Sequence, residues 1–220
     1  MNDLNQLLLN FDLKQNYTND DYYVSKSNFY AYNLIDRWPS WEKNILNIHG
    51  EKYSGKTHLT NIFLKKFKGI KIPAHEFDDQ SLKNFKVFEN LILDDFDEKI
   101  NERLMYSLFN IADQDNKYII INSLTPIHQF DFKLKDLVSR AKNCLVAKID
   151  KPDDDLMFAI LLKNFSDRQI TIEKKLIDFI IKHIDRSYGK IYEFIYKIDE
   201  VSLKKKKSID FKIIKEVLGA

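Results

Sequence analysis

The stretch GEKYSGKT, Gly50–Thr57, decides which fold this sequence predicts. It matches the P-loop pattern G-x-x-x-x-G-K-[ST], in which glycines at both ends let backbone amides wrap closely around phosphate groups. In such a loop the lysine reaches the β- and γ-phosphates, and the final hydroxyl binds Mg²⁺. Only five glycines occur among the 220 residues, so a chance match is the weaker explanation. We expect phosphate binding by the whole stretch: Gly50, Glu51, Lys52, Tyr53, Ser54, Gly55, Lys56 and Thr57.

The runs around this loop have the pattern that a P-loop fold requires. NILNIH before it is typical of a buried strand, and KTHLTNIFLKKF after it has helical spacing. Further strands are predicted at IKIPA, NLILDD, KYIIINS and NCLVAKI, with an amphipathic helix at KINERLMYSLFNIADQ. An earlier helix is predicted over Ser27–Trp38, with Ser27 as its N-cap and Pro39 as its stop. This alternation predicts an α/β domain with a mostly parallel sheet flanked by helices.

The sequence changes character after residue 150. From there on only helical periods are found, in four successive segments. Pro152 and the acidic run Asp153–Asp155 are typical of a domain boundary followed by the first turn of a helix. We therefore divide the chain into an N-terminal peptide and linker (1–20), an α/β P-loop domain (21–150) and a small all-helical domain (151–220).

Acidic and polar side chains end the strands that follow the loop. Asp94 closes the run NLILDD and is expected to hold Mg²⁺ together with Thr57, while Asp95 stands where a water-orienting acid would lie. The alternative is that a strand simply ends in acids before a loop. Asn122 ends the next strand and is a candidate γ-phosphate sensor, although asparagine is also a common turn residue.

Two more acids, Asp97 and Glu98, follow in the same stretch. They are expected to cap the next helix rather than to bind metal, because acidic side chains are favoured at helix N-termini.

Composition limits the class of protein. The chain is 44% hydrophobic and 31% charged with a net charge of +2, which fits a globular protein and does not indicate nucleic-acid binding by charge alone. A single cysteine, Cys144, fits a reducing compartment. No apolar run approaches the roughly 18 residues that span a membrane, and Asp3 without a basic region argues against a signal peptide. A cytoplasmic protein that does not enter the membrane is expected.

The stretch NQLLLNF, Asn5–Phe11, is unusually apolar for a chain end. Burial of one such leucine or phenylalanine stabilises by about 1.5–3 kcal/mol, so the stretch is expected to be covered. It either packs on the protein's own domain or docks on another protein.

Together these motifs resemble the DnaA-type AAA+ family, and within it the DnaA-related regulators of the Hda type. The resemblance runs over nearly the whole chain. It rests on the segments YYVSKSNFYAYNLIDRWPSW, HGEKYSGKTHL, LILDDFD, IIINSLTP, LKDLVSR and DRSYGKIYEFIYKID, in the family's order. It implies an AAA+ fold with a helical lid over ADP or ATP and Mg²⁺. It also implies that four residues lie near the adenine: Tyr22, Tyr23, Val24 and Asn28.

The resemblance assigns Arg140, in LVSR, to the arginine finger, which acts on nucleotide held by a neighbouring molecule. The alternative for Arg140 is a surface arginine on a helix. The family's lid also carries a sensor arginine three positions after the arginine matched by Arg186, and here that position is Gly189. Lys190 follows and could supply a point charge without the guanidinium fork. Intrinsic ATP hydrolysis is therefore expected to be weak at most.

The opening stretch resembles the peptide Q-L-x-L-x-[LF] with which such regulators bind the DNA polymerase sliding clamp. Four residues fall on the pattern: Gln6, Leu7, Leu9 and Phe11. An extended peptide of this kind buries its apolar side chains in a preformed groove. The sliding clamp and the initiator DnaA are the implied partners, and self-association is left open.

The resemblance thus implies a regulator of replication initiation that stimulates hydrolysis of initiator-bound ATP in trans. The chain ends without room for the initiator's DNA-reading domain, so no direct sequence-specific DNA binding is expected. One alternative is an ATP-dependent DNA-binding or helicase-loading AAA+ protein, which would use the basic runs Leu64–Lys71 and Lys204–Lys207. The other is a free-standing P-loop ATPase or phosphotransferase. The run Lys204–Lys207 is otherwise expected to be a solvated loop.

Overall fold

A computed structural model describes residues 22–97, 99–205 and 208–219 of the chain. The first part is an α/β domain of five strands, β1–β5, and five helices, α1–α5. The strands are Ile45–His49, Gly69–Pro73, Asn90–Phe96, Tyr118–Ser123 and Leu145–Lys148. The helices are Phe29–Asp36, Lys56–Lys66, Asp79–Phe85, Glu102–Gln114 and Lys135–Lys142. Two short 3-10 turns, Ala74–Glu76 and Ile127–Gln129, complete it.

All strand pairings in the sheet are parallel, in the order β2-β3-β4-β1-β5. The strand β4 therefore lies between β1, which leads into the P-loop, and β3, which ends in the acids. Because parallel strands end at the same edge, this order brings the polar end of β4 between the loop and the acids. The predicted fold class is confirmed.

The central strands β1, β3 and β4 form where the sequence has apolar runs without alternation. In β3 the residues Leu91, Ile92 and Leu93 are all fully buried, since helices cover both faces of the sheet. The helix α4 is amphipathic and turns Met105 and Phe109 into the core. Two separate apolar clusters result, one on each face of the sheet.

The second part of the chain contains four helices that share a third apolar cluster. They are α6 (Asp154–Asp167), α7 (Lys174–His183), α8 (Tyr188–Lys205) and α9 (Phe211–Leu218). Asp153 caps α6 by accepting a hydrogen bond from the Leu156 N–H at 2.9 Å. Among the helices that the structure describes, none combines the length and the apolar content that crossing a membrane needs.

Two capping predictions were wrong. The helix α1 begins at Phe29 rather than at Ser27, and the Ser27 hydroxyl instead donates to the Asp153 carboxylate at 3.0 Å. The helix α4 is capped by Asn101, whose side chain accepts from two backbone N–H groups. Asp97 does not cap it, because its carboxylate accepts from the Lys99 N–H within the preceding turn. Glu98 lies outside the described residues.

Candidate functional site

The loop between β1 and α2 needs its two glycines for different reasons. Gly55 has φ +91°, a left-handed conformation that favours glycine, and it begins the first turn of α2. A Cβ on Gly50 would approach the Ile149 carbonyl oxygen to 2.8 Å, so a side chain there would push the end of β1 away from the segment that contains Ile149. Tyr53 also has a positive φ, +67°. The loop is therefore tightly wound, with the N-terminus of α2 directed into it.

Lys56 is the cation of this loop. Its side chain is buried, and its ammonium group donates to the carbonyl oxygens of Gly50 and Glu51, both at 2.8 Å. Burial lowers the pKa of Lys56 against the opposing effect of the carboxylates of Asp95 and Asp94. The ammonium group is thus held inside the loop by two carbonyls, which a phosphate oxygen can replace as a stronger acceptor.

Three polar side chains from three elements meet beside this lysine. The Thr57 hydroxyl from α2 donates to Oδ1 of Asp94 at 3.2 Å. The Asn122 amide from β4 donates to the same oxygen at 2.8 Å. It also donates to the Thr60 hydroxyl at 3.2 Å. The strand order β3-β4-β1 is what places Asn122 between the other two.

The donor set of this cluster fits Mg²⁺. A hydroxyl and a carboxylate are hard oxygen ligands, and Mg²⁺ in nucleotide sites takes one or two protein ligands, waters and phosphate oxygens. In the described part of the chain no group of three or more His, Cys, Asp or Glu residues could form an all-protein metal site. Thr57 and Asp94 would therefore hold the ion only together with a bound phosphate.

Asp95 lies at the same edge but differs from Asp94. It is exposed, it has φ +52°, and the pairing of β3 with β4 becomes irregular between Leu93 and Phe96. Asp95 lines the same cavity as Lys56 and Thr57. The irregularity turns Asp95 towards the cavity, while Asp94 stays buried in the cluster.

A cavity of about 590 Å³ extends from the loop to the helical domain. The N-terminal segment contributes Tyr22, Tyr23 and Asn28, three of the four residues that the resemblance predicts near the adenine. Asn28 holds the conformation of this segment, since its side-chain amide donates to the Tyr23 carbonyl and its side-chain oxygen accepts from the Ser25 N–H. Val24 lines a different cavity, next to α6 and α7. The helical domain closes the 590 Å³ cavity with apolar side chains, among them Leu156 and Ile191.

The loop also contacts the helical domain directly, which sequence reasoning missed. The Glu51 carboxylate accepts hydrogen bonds from the Ser187 hydroxyl at 3.1 Å and from the Tyr188 N–H at 3.3 Å. The Tyr53 ring stacks on Tyr192 with centroids 4.3 Å apart. The sequence signal for this contact is weak. Ser187 precedes a helix, which is typical of a helix N-terminus, but this pattern does not predict which residue the serine contacts.

The position of the missing sensor arginine lies in the first turn of α8. A Cβ on Gly189 would meet only the Ser187 hydroxyl, at 3.6 Å, so the space admits a side chain. Lys190 is exposed and donates to Glu193 at 3.1 Å. It does not line the loop's cavity in this structure, and a role for it in place of the arginine stays a prediction.

Arg140 lies on α5, away from the chain's own P-loop cavity. Its guanidinium pairs with Asp113 of α4 and lies over the Tyr106 ring, 5.6 Å from the centroid. The Glu102 carboxylate accepts from the backbone N–H groups of Lys133 and Leu134, which fixes the start of α5. The helix that carries Arg140 is thus held by α4 at both ends.

Two further predictions concern the N-terminal stretch and the two basic runs. Gln6, Leu7, Leu9 and Phe11 lie outside the described residues. In the basic runs, Lys66 pairs with Asp36, Lys71 with Asp94, Lys204 with Glu200 and Lys205 with Glu216. Each of these four lysines is therefore paired with an acid, and the four do not form an unpaired basic surface. Lys204 and Lys205 also belong to α8, so the expected solvated loop begins later than Lys204.

Comparison with known proteins identifies relatives of both parts. Residues 153–218 match the family model described as the lid domain of Hda. The chromosomal replication initiator DnaA of Borrelia turicatae is 26% identical over 241 residues, covering 94% of this chain and 49% of that protein. The chain therefore spans about half the length of the curated relatives it matches.

Solved structures agree in fold. Domain III of DnaA from Thermotoga maritima aligns with a TM-score of 0.77 at 21% identity, covering 95% of this chain and 98% of that one. A replication initiator DnaA bound to AMPPCP and single-stranded DNA aligns with a TM-score of 0.69 at 22% identity, covering 89% and 70%. The helical domain thus matches the lid domain of Hda, nearly the whole chain is similar in sequence to DnaA, and its fold is the AAA+ fold of DnaA domain III.

Proposed function

We propose that this protein is an adenine-nucleotide-binding AAA+ regulator of replication initiation. The observation that carries nucleotide binding is the cluster of Thr57, Asp94 and Asn122 beside the buried Lys56. With nucleotide bound, this arrangement would supply one cation, two Mg²⁺ ligands and a γ-phosphate contact at one edge of the sheet. That a related DnaA binds AMPPCP supports the same ligand class here, ADP or ATP.

The adenine would enter the cavity between the N-terminal segment and the helical domain. Tyr22, Tyr23 and Asn28 line one side of it, and Ile191 and Ile195 line the other. A flat purine is suited to an aromatic and aliphatic lining of this kind. Intrinsic hydrolysis is weak in this proposal, since Gly189 offers no cation and Lys190 is paired with Glu193.

The regulator acts on ATP that another molecule holds. Arg140 is a partly exposed guanidinium on a braced helix, and its partner Asp113 is about half exposed. An exposed ion pair is worth about 0–1 kcal/mol, so a phosphate group readily replaces Asp113. In the proposal Arg140 reaches the γ-phosphate of ATP bound to the initiator DnaA and stabilises the charge of the transition state. Residues Gln6, Leu7, Leu9 and Phe11 dock the protein on the sliding clamp.

A DNA-binding or helicase-loading AAA+ protein is the second candidate, because the related DnaA binds single-stranded DNA. Such a function needs a basic surface. Lys66, Lys71 and Lys205 are each paired with a carboxylate, which argues against it.

ADP formation separates these functions. It is measured for the protein alone, then with clamp-loaded DNA, and then with ATP-bound DnaA added. We expect little ADP in the first two mixtures and a rise only when all components are present. Vigorous turnover by the protein alone would instead indicate a free-standing ATPase, and turnover driven by DNA without clamp or DnaA would favour the second candidate.

A further inference from the structure

The carboxylate of Asp94 is engaged on both of its oxygens. Oδ1 accepts from Thr57 and from Asn122. Oδ2 lies 3.6 Å from the ammonium nitrogen of Lys71. The Asp94 side chain is 8% exposed, so this cation is close to a nearly buried acid. The Lys71 side chain is 30% exposed, so the pair is buried at the acid and partly open to solvent at the lysine.

The sheet register explains how Lys71 reaches this acid. On the neighbouring strand β2, Pro73 is opposite Asp94 and Lys71 is opposite Ile92. Residues two apart on a strand lie on the same face, so Lys71 is the diagonal neighbour of Asp94. Its long side chain spans that diagonal, and its ammonium group is fixed by a 2.8 Å hydrogen bond to the Asn61 side chain of α2. The cation is therefore held in place from two sides.

We propose that Lys71 is a built-in counter-ion for Asp94, which makes nucleotide binding by this protein only weakly dependent on Mg²⁺. This inference rests on the proposed nucleotide site. A lysine beside the carboxylate supplies part of the positive charge that Mg²⁺ brings, and it opposes entry of the ion. By neutralising Asp94, the same cation also weakens the repulsion between this carboxylate and the phosphates of ADP when Mg²⁺ is absent.

Nucleotide binding that depends only weakly on Mg²⁺ suits a regulator that acts on its partner's ATP. Its own nucleotide has to stay bound but need not be hydrolysed, so a permanent cation serves retention better than an exchangeable one.

The test is ADP affinity, measured by calorimetry in EDTA and along a titration with MgCl₂. Lys71→Met is compared with the parent protein, and Lys71→Arg is the variant that keeps the charge. Lys68→Met is the matched control, since it removes one exposed charge from the residue before β2. Thermal unfolding of each variant checks that the fold is kept.

For Lys71→Met we expect weaker ADP binding in EDTA and half-saturation at a Mg²⁺ concentration lower by about tenfold, as one nearby unit charge predicts. Lys71→Arg and Lys68→Met should both behave as the parent does. Equal Mg²⁺ dependence of Lys71→Met and the parent would overturn the inference while leaving the proposed nucleotide site intact. A parent that binds no ADP under either condition would overturn both.

Discussion

Lys56 is the single side chain on which nucleotide binding should depend most. Its ammonium group is held between the Gly50 and Glu51 carbonyls, where we propose that the phosphates bind. Lys56→Ala should lose most of the affinity for ADP and ATP with Mg²⁺ and keep the fold, because no other described cation lines the loop so deeply. Calorimetry and thermal unfolding measure the two effects.

Lys65→Ala is the matched control for that variant, since Lys65 is an exposed lysine on the same helix. It should bind ADP as the parent does. If Lys56→Ala also bound ADP and ATP as tightly as the parent, the P-loop assignment would be wrong.

The contacts of some single residues can be predicted from the sequence, and those of others cannot. The P-loop contacts are local, so a spacing of eight residues was enough to find Lys56 and Thr57. The contacts of Lys71 with Asp94 and of Glu51 with Ser187 depend on strand register and domain packing. No local pattern contains that information, and these partners were therefore missed.

At the scale of elements, Asp153 joins the start of α6 to the α/β domain. Its carboxylate accepts from the Leu156 N–H and from the Ser27 hydroxyl. Burial alone would raise the pKa of Asp153, but the hydrogen bonds from Leu156 and Ser27 outweigh it and hold the pKa below its usual value. Asp153 therefore stabilises the folded protein in its charged form.

The stability that Asp153 contributes should depend on pH. Because its pKa is lower in the folded than in the unfolded chain, the contribution is complete above the usual value of about 3.9 and is lost as pH falls through the folded value. Asp153→Ala should lower the free energy of unfolding by about 1 kcal/mol near pH 7, the typical value of a helix cap. Urea unfolding between pH 7 and pH 2.5 measures the difference from the parent.

Two controls accompany this variant. Asp153→Asn keeps a capping oxygen and should lose less stability, with a flatter pH dependence. Asp131→Asn, at an exposed position, should match the parent. A difference between Asp153→Ala and the parent that stays the same at both ends of the pH range would contradict the role of the charge.

Most elements were predictable, and their ends were not. The three central strands β1, β3 and β4 are short apolar runs that the sheet buries on both faces, whereas the edge strands β2 and β5 are only partly buried. Helix starts depend on which side chain reaches a free N–H. Ser27 does not cap α1, because its hydroxyl donates to Asp153, which is far away in sequence. Asn101 caps α4 instead of the acids that precede it.

At the scale of the whole molecule, the loop and the helical domain are joined without help from a sensor arginine. Glu51 accepts from the start of α8, and Tyr53 stacks on Tyr192 of the same helix. The phosphate-binding loop and the helical domain are therefore in contact through side chains of the protein itself.

Docking on the clamp should be separable from nucleotide binding. The triple variant Gln6→Ala, Leu9→Ala, Phe11→Ala should lose clamp binding and keep its ADP affinity, because the two functions use different segments. Surface plasmon resonance with immobilised clamp measures the first effect, and calorimetry measures the second. Asn10→Ala changes a position that the clamp pattern leaves free and should bind normally. If the triple variant instead unfolded several degrees lower than the parent, the stretch would pack on the protein's own domain.

The central claim is that Arg140 acts on ATP held by the initiator. Arginine fingers supplied in trans are worth roughly 10³–10⁵ in rate in well-studied cases. The loss of the exposed Asp113 pair costs about 0–1 kcal/mol, so the fold should be kept. Arg140→Ala should therefore bind ADP and clamp as the parent does, and Arg140→Lys should recover little activity because lysine lacks the planar fork. Arg103→Ala, at an exposed arginine on α4, is the control.

The most direct measurement is ADP formed on ATP-bound DnaA, with clamp-loaded DNA present and the regulator's own nucleotide held as ADP. The parent and Arg103→Ala should both stimulate hydrolysis, and Arg140→Ala should leave it at the rate of DnaA alone. Stimulation by Arg140→Ala equal to that of the parent would make Arg140 a surface arginine and contradict the proposed mechanism.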